Sequence, residues 1–173
     1  MTTALLSSTA IRLVLGIDIG VVGALALLDA SGELREVFDM PCLADGPAGR
    51  RNVNAALLAE IVAKSHATRA FVEFVSSRPG EGAVGAFSFG RSRGVVEGVM
   101  AALGLPVAFL TAPTWKRAVG IAPGKQGAKD AARSEAIRRW PSHASLFSRV
   151  RDDGRAESAL IAVAGLLRER AHV

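Results

Sequence analysis

The 173-residue sequence has few aromatic and sulfur-containing side chains. It contains one cysteine, Cys42, no tyrosine and three histidines. A single cysteine excludes a disulfide framework and a cysteine-rich zinc site, and it fits a reducing cytoplasm. The first ten residues lack a basic stretch and a clear cleavage site, so we expect no secretory signal peptide.

Long hydrophobic runs are also missing. The most apolar stretch, Leu13–Leu28, is interrupted by Asp18 and by three glycines. A membrane-spanning helix needs about 20 apolar residues, so this stretch favours a strand, a turn and a second strand. Half of all residues are apolar, which is enough for a core and excludes intrinsic disorder. We expect a flexible leader over residues 1–11 and one soluble domain over 12–173.

Charge is distributed unevenly along the chain. The net charge is +5, and residues 111–151 carry nine basic against two acidic side chains, while the rest is slightly acidic. A cationic segment of this kind predicts a polyanionic partner, with nucleic acid the first candidate. The alternative is a solvated basic helix face.

The hydrophobic pattern predicts an α/β domain with a mixed five-stranded sheet flanked by helices. Three strands joined by short turns form an antiparallel meander, and two later strands follow helices and run parallel to the first. This order matches the ribonuclease H-like fold. The predicted elements are strands Leu13–Ile19, Ala24–Leu28 and Glu33–Met40, a loop over Pro41–Arg51, a helix from Asn52 or Asn54 to His66, a strand Ala70–Val75, a helix Ala83–Leu103, a strand Val107–Leu110, and helices Pro113–Val119, Lys129–Trp140 and Asp153–Arg170.

Two acidic residues interrupt strands that otherwise suit a core. Asp18 lies in Val-Leu-Gly-Ile-Asp-Ile, and Glu73 lies in Ala-Phe-Val-Glu-Phe-Val. A lone buried carboxylate is so unfavourable that it takes up a proton or binds a cation. Either residue alone fits a paired core acid, but two such residues in two central strands indicate a functional site.

The last predicted helix contributes two further carboxylates. Asp153 and Glu157 are four residues apart, so they share the face that continues through Leu160 and Ile161 toward the sheet. Asp153 also fits a helix N-cap, and so does Asp152. An N-cap role does not explain Glu157, which lies beyond the first turn.

Four carboxylates from two strands and a helix can bind two hard divalent cations through oxygen. Two ions about 3.5–4 Å apart stabilise both the attacking and the leaving oxygen of a phosphoryl displacement. An acidic cluster together with a basic segment fits a phosphodiester substrate. None of the three histidines has motif spacing, so none is assigned to catalysis.

At these residues the sequence resembles the RuvC-type Holliday junction resolvases, which are ribonuclease H-like nucleases. Five segments, in order within residues 13–167, carry the resemblance. They are Gly-Ile-Asp18-Ile-Gly, Val-Glu73, Phe87-Ser-Phe-Gly-Arg-Ser-Arg-Gly94, Ala112-Pro-Thr-Trp-Lys-Arg-Ala-Val-Gly120 and Lys129-Asp130.

The resemblance implies a homodimer that binds four-way DNA junctions and nicks two opposed strands, leaving 5′-phosphate and 3′-hydroxyl ends. It implies Mg²⁺ or Mn²⁺, two ions per site, as the cofactor. The implied catalytic metal ligands are Asp18, Glu73, Asp153 and Glu157. The implied DNA-binding residues are Lys116, Arg117, Lys129, Arg91 and Arg93.

The sequence departs from the family pattern at two points. The last two acids of the bacterial resolvases are usually aspartates three apart, whereas Asp153 and Glu157 are four apart. Those enzymes also carry a junction-inserting aromatic where this chain has Ser76. Either Phe74 or Phe87 substitutes for that aromatic, or that step works differently in this protein. Both departures resemble the phage-type branch of the family.

Three other interpretations of the sequence compete with a junction resolvase. The first is another ribonuclease H-like nuclease, acting on RNA–DNA hybrids or in RNA processing. The second is a non-catalytic junction-binding protein, which would need a broken acidic cluster. The third follows from Gly-Ile-Asp-Ile-Gly, which also resembles the phosphate-binding hairpin of sugar kinases and actin. That fold needs two domains, more than 173 residues can form.

Overall fold

The computed structural model describes residues 12–45, 50–76, 80, 82–122 and 128–171. The predicted leader over residues 1–11 lies outside these ranges. The strands are β1 Leu13–Asp18, β2 Ala24–Asp29, β3 Leu34–Asp39, β4 Cys42–Ala44, β5 Arg51–Val53, β6 Arg69–Glu73 and β7 Val107–Leu110. The α-helices are α1 Ala55–Ser65, α2 Ala83–Ala102, α3 Ala112–Ala118, α4 Ala128–Arg139 and α5 Asp153–Arg170, and 3₁₀ helices cover Pro141–Leu146 and Val150–Asp152.

Five strands form one sheet in the order β3-β2-β1-β6-β7. The pairs β1–β2 and β2–β3 are antiparallel, whereas β1–β6 and β6–β7 are parallel. The short turns between the first three strands allow only antiparallel pairing, and the helices before β6 and β7 provide the crossovers that parallel strands need. The predicted mixed sheet is therefore confirmed.

Helices cover both faces of the sheet, and alternation along each strand divides the core in two. Leu15 and Ile17 of β1 pack with residues of α1 and α2, such as Leu58 and Met100. Val14 of β1 belongs to the opposite cluster, with residues of α3, α4 and α5. Because side chains alternate at a period of two, even-numbered residues of β1 face α5.

Helix α5 crosses β1 at very close range. A Cβ atom on Gly16 would lie 2.0 Å from the Ser158 carbonyl oxygen and 2.7 Å from the Ala162 nitrogen. Both contacts are with helix backbone, which cannot move aside locally. Glycine is therefore required at position 16, and it allows the N-terminal half of α5 to approach the centre of the sheet.

The turn between β2 and β3 is fixed by the buried carboxylate of Asp29. Its Oδ1 accepts hydrogen bonds from the backbone nitrogens of Ser31, Gly32 and Glu33 at 2.9–3.1 Å, and Arg35 binds Oδ2. Burial raises the pKa of Asp29, but the hydrogen bonds from Ser31, Arg35 and Glu33 outweigh it and lower the pKa to about 2. This residue is a structural acid, held as a carboxylate by its partners.

The prediction of a loop over Pro41–Arg51 is only partly right. Three-residue strands β4 and β5 pair there as an antiparallel hairpin, with Cys42 opposite Val53. Each strand has only three residues, which is too few for an alternation of apolar and polar side chains to be recognised in a segment rich in glycine, proline and charge. Asn54 caps α1 by accepting a hydrogen bond from the Leu57 nitrogen at 3.2 Å, which selects one of the two predicted caps.

Candidate metal and nucleic-acid site

Asp18 and Glu73 end two neighbouring parallel strands. Ile17 of β1 is opposite Val72 of β6, so the next residue on each strand is one of these two acids. Asp18 is an even-numbered residue of β1, like Val14, and so lies on the face that α5 covers. Glu73 lies two residues after Phe71 of β6, which packs in the core cluster under α5. Register and alternation therefore bring both carboxylates to one sheet edge, on the face that α5 covers.

Glu157, in the second turn of α5, completes a cluster of three acids. One carboxylate oxygen from each of Asp18, Glu73 and Glu157 lies within 4.8 Å of the other two, and all three residues are partly buried. Like charges gathered at this distance repel each other, and an oxygen-binding divalent cation relieves that repulsion. The donor set therefore fits a hard cation, and these three residues could hold a metal ion.

Asp153 lies one turn before Glu157 but is not a member of the three-acid cluster. Its Oδ1 accepts a hydrogen bond from Arg133 Nε at 2.9 Å, and Arg133 also binds Asp130 on its own helix. Asp153, the predicted fourth ligand, therefore lies one helical turn from Glu157, and its carboxylate is paired with the Arg133 guanidinium of α4. Nothing in the sequence pattern distinguishes Arg133 from the other basic residues of that segment.

Asp152, the alternative to Asp153, is buried among arginines. Arg149 donates three side-chain hydrogen bonds, from Nε and Nη2, and one backbone hydrogen bond to its carboxylate, and Arg155 Nη1 lies 3.8 Å away. The side-chain hydrogen bond from Arg149 lowers the pKa of Asp152 more than burial raises it. Asp152 therefore anchors the 3₁₀ turn that leads into α5.

Helix α3 brings a cation and an indole to the acidic cluster. Lys116 Nζ lies 3.7 Å from Glu157 Oε1 and 5.0 Å from the centre of the Trp115 ring. The buried Trp115 donates a hydrogen bond from Nε1 to Glu73 Oε1 at 3.3 Å. Of the predicted DNA-binding residues, Lys116 is thus beside the carboxylates. Trp115, its neighbour in the Pro-Thr-Trp-Lys run, was not predicted to be a functional residue, and it orients the Glu73 carboxylate.

The other predicted DNA-binding residues lie on three different helices. Arg117 is exposed on α3. Arg91 and Arg93 are on α2, where Arg91 binds Asp45 at 2.6 Å and Arg93 binds Glu97 at 2.6 Å and the Val75 carbonyl oxygen at 2.9 Å. Lys129 belongs to α4, but its side chain lies outside the described part of the structure.

Exposed aromatic side chains surround the end of β6 beside Glu73. A cleft of about 390 Å³ is lined by Glu73, Phe74 and Phe89, among others. Phe74 packs edge-on against Phe109 at 6.2 Å and lies under the Arg93 guanidinium at 4.5 Å, so it is held in place. Phe87 is 74% exposed and Phe89 is 45% exposed. Phe89 was not predicted, although the sequence places it two residues after Phe87 in the same motif.

The N-terminus of α5 packs tightly against the turn between β1 and β2. A Cβ atom on Gly154 would lie 2.5 Å from the Val22 carbonyl oxygen and 3.1 Å from Asp18 Oδ2. Gly23 closes the same turn, with its nitrogen donating to the Gly20 carbonyl oxygen at 3.1 Å. These glycines let the helix bring Glu157 close to the end of β1.

Comparison with known proteins gives matches only among solved structures: no protein-family model and no curated protein sequence matches. The structure is similar to Thermus thermophilus RuvC in complex with a Holliday junction substrate, with a TM-score of 0.60 and 18% identity, over 92% of this chain and 96% of that chain. The fold is that of RuvC. A second Thermus thermophilus RuvC structure agrees, with a TM-score of 0.56 and 17% identity over 93% of this chain and 97% of that one.

These likenesses confirm the predicted ribonuclease H-like architecture and the RuvC-type resemblance at the level of the fold. They cover nearly the full length of both chains, so the sheet and the helices that flank it share one architecture with RuvC. In the described residues, no helix is long and apolar enough to cross a membrane.

Proposed function

We propose that this protein is a metal-dependent endonuclease that resolves four-way DNA junctions by symmetric paired nicking. The observation that carries the proposal is the cluster of Asp18, Glu73 and Glu157 within 4.8 Å, flanked by Lys116, on a RuvC fold. One of the similar RuvC structures is a complex with a Holliday junction substrate, which supports branched DNA as the substrate here.

In this mechanism the three clustered acids, with Asp153 as the fourth, would hold two Mg²⁺ or Mn²⁺ ions. Divalent cations held by carboxylates supply activation of a water molecule and stabilisation of negative charge on the phosphodiester. Trp115 keeps Glu73 oriented through its indole hydrogen bond. Lys116 adds a positive charge beside Glu157, where a phosphate must enter, and water attack leaves 5′-phosphate and 3′-hydroxyl ends.

DNA binding is proposed to involve Lys116, Arg117, Lys129, Arg91 and Arg93. Phe89 lines the cleft beside Glu73, and Phe87 is exposed two residues earlier on α2. Both are better candidates for inserting into an opened junction than Phe74, which is packed against Phe109. The four-residue spacing of Asp153 and Glu157 and the serine at position 76 support the phage-type branch.

A homodimer is proposed, with α2 as the contact surface. Gly90, Gly94 and Gly98 recur every four residues on exposed turns of this helix. A Cβ atom at any of the three would meet no described atom within 4 Å, so a second backbone has room to approach. Residues 12–173 are proposed to form one domain. A cytoplasmic location is proposed, because it fits a DNA substrate and a single cysteine.

The proposal is tested with end-labelled substrates on denaturing gels, comparing a synthetic four-way junction, a linear duplex and an RNA–DNA hybrid. We expect paired symmetric nicks in the junction with Mg²⁺ and none with EDTA. Cleavage of the hybrid alone would indicate another ribonuclease H-like nuclease. Tight junction binding without cleavage, even with Mn²⁺, would indicate a non-catalytic junction-binding protein.

A further inference from the structure

An arginine-lined cleft lies at the same end of the sheet as the acidic cluster, and no residue predicted to bind DNA lines it. Its volume is about 400 Å³. Four arginines and two aspartates provide its charged side chains, which leaves two positive charges uncompensated. The arginines are Arg51, Arg149, Arg151 and Arg155, and the aspartates are Asp39 and Asp152.

Two of the four arginines are fixed by ion pairs and form rigid walls. Arg155 binds Asp39 with two hydrogen bonds of 2.6 and 2.7 Å, and Arg149 binds Asp152 at 2.8 Å. The other two, Arg51 and Arg151, are exposed, and their side chains make no hydrogen bond or ion pair with another described residue. Two exposed guanidiniums that line one cleft are suited to an anion that enters from solvent.

The lining of the cleft indicates which part of DNA it fits. Its uncharged lining residues are Val21, Val22, Gly23 and Met40, so no aromatic side chain is available for base stacking and no amide for base reading. Both aspartates are already bound by arginines. The remaining chemistry recognises phosphate oxygens, which position a nucleic acid without reading its sequence.

The cleft and the acidic cluster lie on opposite sides of one thin wall. That wall is the first turn of α5 against the β1–β2 turn, where a Cβ on Gly154 would lie 2.5 Å from Val22 of the cleft and 3.1 Å from Asp18 Oδ2 of the cluster. The cleft and the acidic cluster are therefore close enough for one DNA strand to contact both.

We infer that this cleft, through Arg51 and Arg151, binds a backbone phosphate close to the phosphodiester that the acidic cluster cleaves. The inference rests on the proposed function, because it uses the same DNA strand. It adds a sequence-independent contact on the β1–β2 side of the site, opposite the side where Lys116 lies.

The test measures junction binding by fluorescence anisotropy in EDTA, between about 50 and 200 mM KCl. Each phosphate contact adds about 0.9 to the slope of log affinity against log salt, so Arg51→Gln/Arg151→Gln should lower that slope by about 0.9, because both arginines are proposed to bind one phosphate. The loss of junction affinity in this double variant should be equal for junctions of different sequence. Arg51→Lys/Arg151→Lys keeps both charges and should keep most of the slope.

Arg168→Gln is the matched control. Arg168 is an exposed arginine near the other end of α5, and it also has no partner among the described residues. A slope equally unchanged in the double variant and in Arg168→Gln overturns the inference while the proposed function stands. Wild-type protein that binds no junction at any salt concentration overturns the proposed function and the inference together. Thermal melting of each variant verifies that the fold is intact.

Discussion

Replacing Asp18 by asparagine should stabilise the metal-free protein, although it removes a residue of the proposed active site. Two unit charges 4.8 Å apart repel each other by about 3.5 kcal/mol at an effective dielectric constant of 20. Asp18 faces two such neighbours, Glu73 and Glu157. Partial exposure and the nearby Lys116 screen this repulsion, so we expect a net gain of about 1–2 kcal/mol.

Asp29→Asn is the matched control, because the same chemical change should have the opposite sign there. The pKa of Asp29 is lowered from 3.8 to about 2, and its side chain is almost fully buried. At about 1.36 kcal/mol per pKa unit, the ionised form contributes about 2 kcal/mol above pH 4. This contribution is lost as the pH falls toward 2, so Asp29→Asn should be destabilising at pH 7 and nearly neutral at pH 2.

Urea unfolding of the wild type and both variants, in EDTA and with Mg²⁺, measures these differences. At ten times its dissociation constant, Mg²⁺ should stabilise the wild type by about 1.4 kcal/mol, and much less in Asp18→Asn. Asp29→Asn should keep the full response to Mg²⁺. Destabilisation by Asp18→Asn in EDTA, or an equal response to Mg²⁺ in all three proteins, would refute the reasoning that the acidic cluster is a strained, cation-binding site.

Three further predictions concern the surroundings of the cluster. Gly154→Ala places a Cβ 2.5 Å from the Val22 oxygen, so it should cost about 1–3 kcal/mol in urea unfolding and slow junction cleavage. Gly82→Ala, with no described atom within 4 Å, should change the unfolding free energy by less than about 1 kcal/mol; an equal effect of both would contradict the packing argument. Lys116→Ala should weaken binding to junctions of every sequence and lower the salt slope by about 0.9; loss for one sequence only would indicate base reading instead. Arg149→Gln removes the main partner of the buried Asp152, so it should lower stability at pH 7. Because that arginine lowers the pKa of Asp152, the loss should shrink as the pH falls below the ordinary carboxyl value, and a loss independent of pH would exclude this mechanism.

The strands of the main sheet could be predicted because local pattern decides them. Buried β1 and β2 are nearly continuous apolar runs separated by glycine, and short turns leave antiparallel pairing as the only solution. The hairpin of β4 and β5 could not be predicted, because two three-residue strands carry no readable period. Val53 of β5 is buried in the core cluster that includes Val96 and Met100 of α2, so the position of the hairpin depends on that packing and not on its own composition.

The site was predictable in part for a similar reason. Asp18 and Glu73 were placed together correctly because they interrupt adjacent apolar strands, and period-two alternation then puts both under α5. The contact of Asp153 with Arg133 joins two helices, and no local pattern selects that arginine. Trp115 was adjacent to a predicted residue, but only the three-dimensional structure reveals its hydrogen bond to Glu73.

The most direct test of the central claim compares wild type with Asp18→Asn on one synthetic four-way junction, measuring cleavage in Mg²⁺ and binding in EDTA. The account predicts that the variant loses cleavage by orders of magnitude while its affinity for the junction persists, because one ligand charge is removed without a change of shape. Junction cleavage by Asp18→Asn at the wild-type rate would contradict it.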